Sequence, residues 1–480
     1  MHPPFKQGSS RSCHCFYCEW FLKMRLPTPH AVDTNNPATG TPTNRLRRHI
    51  TGPLLFLFIL GDVLGAGIYA LMGVLALTVG SALWAPLLLA LLLALLTAGS
   101  YAELVTKYPK AGGAAVFAQR AYGRPLVSFL VGFAMLAAGI TSAAGLALAF
   151  AGPYMSALIN VPLVPTALLF LFLVACLNAR GISESMKCNT VMTLIEVSGL
   201  VIVIVAGAML WANGTGDASR VMQFPSGVAP ATATLAGAII AYYAFVGFET
   251  SANVTEEVKE PHKVYPAALF GALIVAGLVY VLVGLAVGSA LPAAELAGAK
   301  APLLAVVAAS GMNFPSWLFG LIALVAVANG CLLTMIMSSR LTFGMAEQRL
   351  LPSALTRLLP NRGTPWVAIA VTTLASMALV VMGNLQALAE TVVLLLLGVF
   401  ISTNVAVLVL RKDKVPHPHF QVWRIVPVLG VASCVLLLTQ QKGQVWLFGA
   451  GFLVLGLVLH MLAGWASKRE GEPSNFSPTA

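Results

Sequence analysis

Four acidic residues lie inside long apolar stretches of this sequence: Asp62, Glu196, Glu249 and Glu390. A carboxylate at membrane depth is costly, and such residues commonly bind protons, ions or polar substrate groups. Glu390 stands close to the end of its stretch, where it can reach water. We therefore predict that Asp62, Glu196 and Glu249 contact a proton, a cation or a basic group of a bound molecule.

A Gly65-Ala66-Gly67 triplet follows Asp62 within the same apolar stretch. Each glycine weakens a helix by about 1 kcal/mol relative to alanine, and an opened helix is tolerated in lipid only where it lines a cavity or is buried in protein. The N-terminus of the resuming helix would offer free N–H groups and a positive dipole end to an anionic group. Alternatively, these small residues only let two helices pack closely.

The segment YYAFVGFETSANVTEEV, residues 242–258, has a complementary pattern. Its apolar run breaks at Gly247 and continues with polar residues. If the helix opens there, the carbonyl groups of Tyr243, Ala244 and Val246 lose their helical partners and face a cavity, where they suit an ammonium group. Two interrupted segments, one with free N–H groups and one with free carbonyls, would match the two ends of an α-amino acid.

Composition indicates the class of protein. Of the 480 residues, 58% are hydrophobic and 9% are charged, whereas soluble domains usually carry about 25% charged residues. Apolar runs of about 20 residues recur along the chain, which is typical of proteins that cross a membrane many times. The net charge is +11, but the basic residues are spread over short loops, so we expect a lipid bilayer and not nucleic acid as the partner.

We predict an all-α membrane protein with twelve transmembrane helices. They fall near residues 50–79, 82–106, 125–153, 161–178, 187–212, 232–255, 264–291, 314–345, 365–383, 386–410, 424–441 and 444–466. The first and sixth are the interrupted helices, at corresponding positions of two five-helix halves, which is the pattern of transporters built from an inverted repeat. The predicted parts are a disordered tail at 1–47, a first repeat at 48–212, a second repeat at 232–410, two peripheral helices at 424–466 and a tail at 467–480.

The distribution of basic residues predicts the orientation. Of the 28 Lys and Arg residues, all but Arg220, Lys300 and Lys442 fall in the tails and the loops on one side. Because Lys and Arg concentrate in cytoplasmic loops, we predict cytoplasmic N- and C-termini in a multi-pass plasma-membrane protein. Glu103, near the cytoplasmic end of the second helix, is expected to reach the interface close to Lys107 and to be structural.

The first tail contains a cluster of soft metal ligands, Cys13, His14, Cys15 and Cys18. A structural zinc site usually has a second ligand pair, which this cluster lacks. The cluster is therefore either a metal site, part of a disordered tail, or part of a stretch upstream of a true start at Met24. The other cysteines lie in or beside apolar runs and imply no disulfide framework, and no metal or cofactor is predicted for the helices.

Five blocks of the sequence resemble the amino acid–polyamine–organocation superfamily of permeases, near its cationic-amino-acid-transporter branch and the bacterial ApcT-like permeases. The likeness covers roughly residues 48–465 and implies a LeuT-type fold of five plus five inverted helices with two peripheral ones. The blocks are GAGIY at 65–69, SYAELVTKYPKAGGAAVFAQRAYG at 100–123, AFVGFETSANVTEEVKEPHKVYP at 244–266, SSRLTFGMAEQRLLPSAL at 338–355 and NRGTPWVAI at 361–369.

The resemblance also implies site residues. The substrate carboxylate would meet the backbone of Gly65, Ala66 and Gly67, and the amine would meet the carbonyls of Tyr243, Ala244 and Val246. Tyr243 stands in the family's aromatic-gate position. Phe245, beside it, suits neutral side chains as well as basic ones.

Three acidic residues bear on the substrate and the coupling ion. In ApcT-like permeases a lysine occupies the position of Glu196, so this carboxyl group would take a proton, bind a cation, or hydrogen-bond as an acid to nearby backbone. Asp62, at a usually small or polar position, would pair with a basic substrate group or a proton, or form a buried hydrogen bond. Glu249 matches an acidic position of the cationic branch and either contacts substrate or caps the resuming helix.

The sequence thus predicts a secondary transporter that imports an amino acid, such as arginine, lysine or ornithine, by proton symport or exchange. A neutral amino-acid permease and a non-transporting amino-acid sensor on the same fold are alternatives, whereas a polyamine would leave the N–H groups without a carboxylate. We predict no enzyme, because the sequence has no Walker loop, catalytic triad or paired catalytic carboxylates. The oligomeric state stays open.

Overall fold

The computed structural model describes residues 48–155, 158–159, 161–299, 301–360, 362–382, 385–439, 441 and 443–469. The cluster Cys13, Cys15 and Cys18 lies outside the described residues, as do the rest of the first predicted tail and residues 470–480.

The described chain is helical throughout, and its one β contact is an isolated bridge between Ile50 and Val258. Shorter helices of other types are a π-helical turn at Phe150–Tyr154 and 3₁₀ helices at Ala218–Met222, Phe248–Glu257 and Ser353–Thr356. The α-helices are α1 (Gly52–Leu64), α2 (Ala66–Val79), α3 (Trp84–Lys107), α4 (Gly113–Tyr122), α5 (Pro125–Ala149), α6 (Leu163–Arg180), α7 (Ile182–Ala212), α8 (Pro230–Phe245), α9 (Pro261–Ala290), α10 (Ala293–Gly298), α11 (Pro302–Ala309), α12 (Ser316–Glu347), α13 (Trp366–Met382), α14 (Leu385–Leu410), α15 (Ile425–Leu438) and α16 (Gly443–Arg469).

Length and composition make this a multi-pass membrane protein. Within the described residues, nine helical stretches are long and apolar enough to cross a membrane. Three shorter apolar helices, Trp366–Met382, Ile425–Leu438 and Val445–Met461, lie where the ninth, eleventh and twelfth spans are predicted. Many of their large apolar side chains face outward, as expected for a surface in contact with lipid.

Two packing units surround the interrupted helices. The central helix α5 packs against α12 and α14, while α3 packs against α8 and α9. Small residues allow the second contact: a Cβ at Gly277 of α9 would lie 2.5 Å from the Leu91 side chain of α3, and one at Gly288 would lie 2.2 Å from the Ser81 carbonyl. Close helix contact through glycine is the usual substitute for a hydrophobic driving force in lipid.

A buried ion pair joins several elements at the end of the bundle where α1 begins. Nε of Arg340 on α12 lies 3.1 Å from Oε1 of Glu257, and both side chains are buried. Arg340 also donates to Oδ1 of Asn178 on α6 at 2.7 Å. The N–H groups of His49 and Ile50 both donate to the Glu257 carbonyl at 2.9 Å, which connects the chain before α1 to the same point.

A second ion pair lies at the end of α3. Glu103 is buried and binds Arg411, with Nη2 at 3.1 Å, and also accepts the Val422 N–H at 3.0 Å. Nζ of Lys107 donates to the Leu410 carbonyl at 2.6 Å. Glu103 is thus structural as predicted, but its ionic partner is Arg411, far away in the sequence, and not the neighbouring Lys107.

The ion pair of Arg340 leads to a stability prediction. Glu257→Gln leaves the Arg340 charge buried without a counter-charge, so we expect a loss of about 3–5 kcal/mol in the free energy of unfolding, measured in detergent micelles. Glu260→Gln is the matched control, because Glu260 pairs at 3.0 Å with Lys263 where both side chains are more than 60% exposed, and exposed pairs contribute little. Equal losses for the two variants would contradict the role of the buried pair.

Candidate functional site

The first apolar span is interrupted at Gly65. Helix α1 ends at Leu64, Gly65 adopts φ −23° and ψ −163°, and α2 begins at Ala66. The Gly65 N–H still bonds to the Gly61 carbonyl at 3.3 Å. No side chain caps α2, so the N–H groups of its first turn, which include Ala66 and Gly67, have no intrahelical acceptors.

The sixth span is interrupted two residues after α8. Val246 is extended and Gly247 has φ +131°, a conformation that favours glycine. The chain then continues as the 3₁₀ helix Phe248–Glu257. The two breaks lie side by side, because a Cβ at Gly67 would be 3.0 Å from Cα of Ala244 and one at Gly247 would be 2.9 Å from the Asp62 carbonyl oxygen.

The hydrogen bonding of the carbonyl groups at the second break differs from the prediction. We expected Tyr243 and Ala244 to lose their partners, but the Tyr243 carbonyl accepts the Val246 N–H at 3.2 Å. The Ala244 carbonyl lies 3.2 Å from the hydroxyl of Tyr280 on α9, which also donates to the Val63 carbonyl. Neighbouring groups therefore replace the lost helical bonds, and each carbonyl retains a second lone pair for a ligand.

A cavity of about 60 Å³ lies between the two breaks. Helices α5, α12 and α14 form its other walls. The lining residues are Asp62, Val63, Gly65, Gly67, Ala138, Gly139, Ser142, Leu146, Tyr243, Ala244, Val246, Gly247, Glu249, Thr250, Gly330, Thr334, Met337, Val392 and Leu396.

Most of the predicted site residues line this cavity, but Phe245 does not. Its side chain is fully buried, and its ring packs against that of Tyr280 with centroids 5.2 Å apart. Phe245 precedes the break as the last residue of α8, so the helix still directs its side chain into the protein core. For Ala66 the structure describes the backbone position only, at the first residue of α2.

Two carboxyl groups reach the cavity from the two breaks. Asp62 accepts the hydroxyl of Thr250, and Oε2 of Glu249 accepts the Gly247 N–H at 2.9 Å. The buried hydrogen bond considered for Asp62 and the capping role considered for Glu249 are therefore both present. Because each group also lines the cavity, these bonds leave carboxyl oxygen available to a ligand.

The cavity acids have no basic counterpart in the described part of the chain. The ion pairs there are Asp217–Arg220, Glu260–Lys263, Glu257–Arg340 and Glu103–Arg411. A buried carboxyl group without a cation is strongly disfavoured as an anion. The cavity therefore suits a bound cation, a proton, or both.

Glu196 lies on α7, outside the cavity lining, and its side chain is fully buried. Asn329 of α12 lies beside its carboxyl group, yet neither carboxyl oxygen completes a hydrogen bond within the described residues. The alternative in which the acid bonds to nearby backbone is therefore not observed. Glu390, in contrast, is half-buried and does not line the cavity.

Several site residues were not predicted from the sequence. Thr250 follows Glu249 directly, and its polarity in an apolar stretch was a usable signal. Ser142 and Thr334 are also polar residues in apolar stretches, but this signal is weaker, since hydroxyl side chains commonly bond within their own helix. Val392 and Leu396 carried none, because an apolar residue that faces a cavity has the same type as one that faces lipid.

Comparison with known proteins identifies the family of this chain. A family model described as amino acid permease matches residues 52–459. The chain is 27% identical over 446 residues to the branched-chain amino acid permease BcaP of Bacillus subtilis (strain 168), covering 87% of this chain and 93% of that protein. It is 26% identical over 443 residues to the methylthioribose transporter of the same organism, with the same coverage.

A plant relative is similar at the same level. Cationic amino acid transporter 4, vacuolar, of Arabidopsis thaliana is 29% identical over 420 residues, covering 82% of this chain and 68% of that protein. The names of the three relatives cover three kinds of substrate, so similarity alone does not identify the substrate of this chain.

The second break leads to a stability prediction. Gly247→Ala places a side chain at positive φ and against the Asp62 carbonyl, so we expect a loss of about 1–3 kcal/mol or more in the free energy of unfolding. Gly271→Ala on α9 is the control, since its Cβ would meet only the Phe56 ring, at an ordinary 3.5 Å. Chemical unfolding in detergent measures both, and a Gly247→Ala protein as stable as Gly271→Ala would contradict the strained turn.

Proposed function

Because the chain belongs to the amino acid permease family, we propose that it is a secondary transporter that imports an amino acid across the plasma membrane. The observation that carries this proposal is the pair of interrupted spans that meet at one cavity. Free N–H groups at the start of α2 and carbonyl groups at the end of α8 suit the two charged ends of an α-amino acid.

The proposed architecture is the LeuT type, with twelve spans and two interrupted ones. In it, residues 48–212 and 232–410 form the inverted repeats, residues 424–466 form two peripheral spans, and the tails at 1–47 and 467–480 are cytoplasmic. The interruptions at Gly65 and at Val246–Gly247 support this assignment, because they fall in corresponding helices of the two halves.

The substrate carboxylate binds, in this proposal, at the uncapped start of α2. Gly65 and Gly67 line the cavity from that side. The N–H groups of Ala66 and Gly67 have no helical acceptor there, whereas the Gly65 N–H is shared with the Gly61 carbonyl. The dipole of α2 favours negative charge at the same end. The absence of a side chain at Gly65 and Gly67 lets a carboxylate approach the backbone closely.

The substrate ammonium group binds on the opposite side, at the carbonyls of Tyr243, Ala244 and Val246. Tyr243 lines the cavity and suits the role of an aromatic gate. Asp62 and Glu249 lie at the edges of the two breaks, where they add negative charge for a cation. Both carboxyl groups lie beside Gly247, at the break that would receive the ammonium group: a Cβ at Gly247 would be 3.1 Å from Cγ of Asp62, and Glu249 accepts the Gly247 N–H.

A cationic amino acid is the substrate class that the charges favour. Two carboxyl groups face the cavity, and no ion pair within the described residues neutralises them. A basic side chain such as that of arginine, lysine or ornithine supplies the missing positive charge. The wall formed by Leu146, Val392 and Leu396 is apolar, which keeps a neutral amino acid as the second candidate.

Glu196 is assigned to coupling and not to substrate contact. It is buried outside the cavity lining, and neither of its carboxyl oxygens has a hydrogen-bond partner among the described residues, which makes it a suitable place for a proton. The transport mode that follows is proton symport. Exchange without a proton and a non-transporting sensor are the alternatives, and flux into vesicles separates them.

The transport proposal predicts uptake by the purified protein in proteoliposomes. Labelled arginine and labelled alanine should both accumulate or exchange, and competition by unlabelled amino acids ranks the substrates. Binding without accumulation or counterflow would favour the sensor and overturn the transporter.

The cationic preference predicts a selective effect of the cavity acids. Asp62→Asn and Glu249→Gln should lower kcat/KM for arginine about tenfold or more, since a hydrogen bond to a charged group contributes about 1.5–3 kcal/mol. The effect on alanine should be smaller. Glu295→Gln, on the exposed surface of α10, is the control, and equal losses for arginine and alanine would contradict a contact with the basic side chain.

The coupling role predicts a change in pH dependence for Glu196→Gln. Uptake by the parent protein should fall as the external pH rises, because fewer molecules carry the coupling proton. Glutamine cannot titrate, so uptake by the variant should be nearly independent of pH. If initial rates measured across the pH range follow the parent profile, Glu196 has no part in coupling.

A further inference from the structure

A chain of buried polar side chains lies behind α1, away from the cavity. Asn189, Thr193 and Glu196 belong to α7 and Asn329 to α12, and all four are fully buried. Nδ2 of Asn329 donates to Oγ1 of Thr193 at 3.1 Å, and this hydroxyl donates to Oδ1 of Asn189 at 3.2 Å. The Asn329 amide also lies beside the Glu196 carboxyl group, so it links Thr193 to Glu196.

The same hydroxyl group is in contact with α1. The carbonyl oxygen of Leu57 lies 3.5 Å from Oγ1 of Thr193 and is a second acceptor for its single hydrogen. A Cβ at Gly61 would lie 2.1 Å from Oγ1 of Thr193 and 2.6 Å from Nδ2 of Asn329. Helix α1 therefore rests directly on the polar chain, one turn before its end at the cavity.

The chain has unfilled hydrogen-bonding capacity. Within the described residues, both carboxyl oxygens of Glu196, Oδ1 of Asn329 and Nδ2 of Asn189 have no partner. An amide carries donors on one edge and an acceptor on the other, so a half-turn of its terminal bond exchanges them. Turning both amides would present Oδ1 of Asn329 to Glu196 and Nδ2 of Asn189 to Thr193.

We propose that Asn329 is a positioning residue that transmits the protonation state of Glu196 to α1; this rests on the proposed function, in which a proton accompanies the substrate. When Glu196 is ionised, Asn329 presents Nδ2, and the single hydrogen of the Thr193 hydroxyl is shared between Asn189 and Leu57. When a proton binds Glu196, its O–H donates to Oδ1 of the turned Asn329 amide. Thr193 then donates to that same oxygen, Asn189 donates to Thr193, and the bond to Leu57 is lost.

The surroundings of Glu196 favour the uptake of a positive charge. Asp62 of α1 is a second acid nearby, and Tyr280 of α9 faces the same carboxyl group. The Tyr69 hydroxyl of α2 donates to the backbone carbonyl of Glu196 at 3.1 Å and leaves the carboxyl group unfilled. No ion pair of the described residues involves Glu196. In the proposal, the coupling proton therefore neutralises this carboxyl group.

Hydrogen–deuterium exchange of α1 in lipid nanodiscs tests the proposal without any need for transport. Labelling times are scaled for the intrinsic pH dependence of exchange, and peptides from Gly52–Leu64 are compared at acidic and alkaline pH. In the parent protein, we expect exchange in α1 to be about fivefold faster at acidic pH, which is the factor for loss of one hydrogen bond worth ~1 kcal/mol. Absence of any pH response in α1 would overturn the proposal.

Four variants test the individual hydrogen bonds of the proposal. Thr193→Val removes the bond to α1, so exchange should be fast at both pH values, whereas Thr193→Ser should restore the parent response. In Glu196→Gln, the glutamine NH₂ group donates to Asn329 at every pH, as the protonated acid would. Exchange in α1 should therefore also be fast at both pH values. Asn329→Ala has no side-chain amide to bond with Glu196, so Thr193 should stay bonded to Leu57. Exchange in α1 should then be slow at both pH values.

Asn404→Ala is the matched control, because Asn404 is an equally buried asparagine on α14 that bonds to Ser100 and Thr97. It should keep the parent response, and unchanged exchange in α9 reports that each variant is folded. If Thr193→Val or Asn329→Ala keeps the parent response, the positioning role is wrong. If α1 responds as expected while the parent shows no amino-acid flux, the positioning role stands and the proposed transport function fails.

Discussion

A backbone hydrogen bond cannot simply be left unmade at membrane depth, because lipid offers no replacement for it. At both interruptions in this protein, neighbouring groups replace hydrogen bonds that the helix no longer makes. The Gly247 N–H is taken by Glu249, the Gly247 carbonyl accepts the Thr250 N–H, and the Tyr280 hydroxyl lies against carbonyls of both broken spans. The N–H groups at the uncapped start of α2 stay unfilled, and in our proposal they receive the substrate carboxylate.

The buried charged residues fall into two groups, those in ion pairs and those without one. Arg340 and Glu257 neutralise each other in the core, and Glu103 is matched by Arg411, so these groups hold elements together. Asp62, Glu196 and Glu249 are as deeply buried but belong to no ion pair in the described residues. In our proposal, these three acids bind the positive charge of the substrate or the coupling proton.

The sequence predicted the two breaks because glycine at Gly65 and Gly247 contradicts the apolar helical pattern around it. It placed Asp62 and Glu249 at the site for the same reason: a carboxylate in an apolar run is conspicuous. It could not predict that Tyr280 covers carbonyls of both broken spans, because a tyrosine in an apolar run has no local signature. It placed Phe245 at the site and Glu103 at the interface, whereas Phe245 lies in the core and Glu103 is buried beside Arg411. Both outcomes depend on helix orientation and on contacts distant in sequence.

The tie between Ile50 and Val258 has a mechanical consequence. Three backbone hydrogen bonds, from His49, Ile50 and Lys259, join the start of α1 to the end of the 3₁₀ helix. The half-segment before the Gly65 break and the half-segment after the Gly247 break are therefore joined at the ends that lie away from the cavity. A rigid-body displacement of either one would have to carry the other with it or break these bonds.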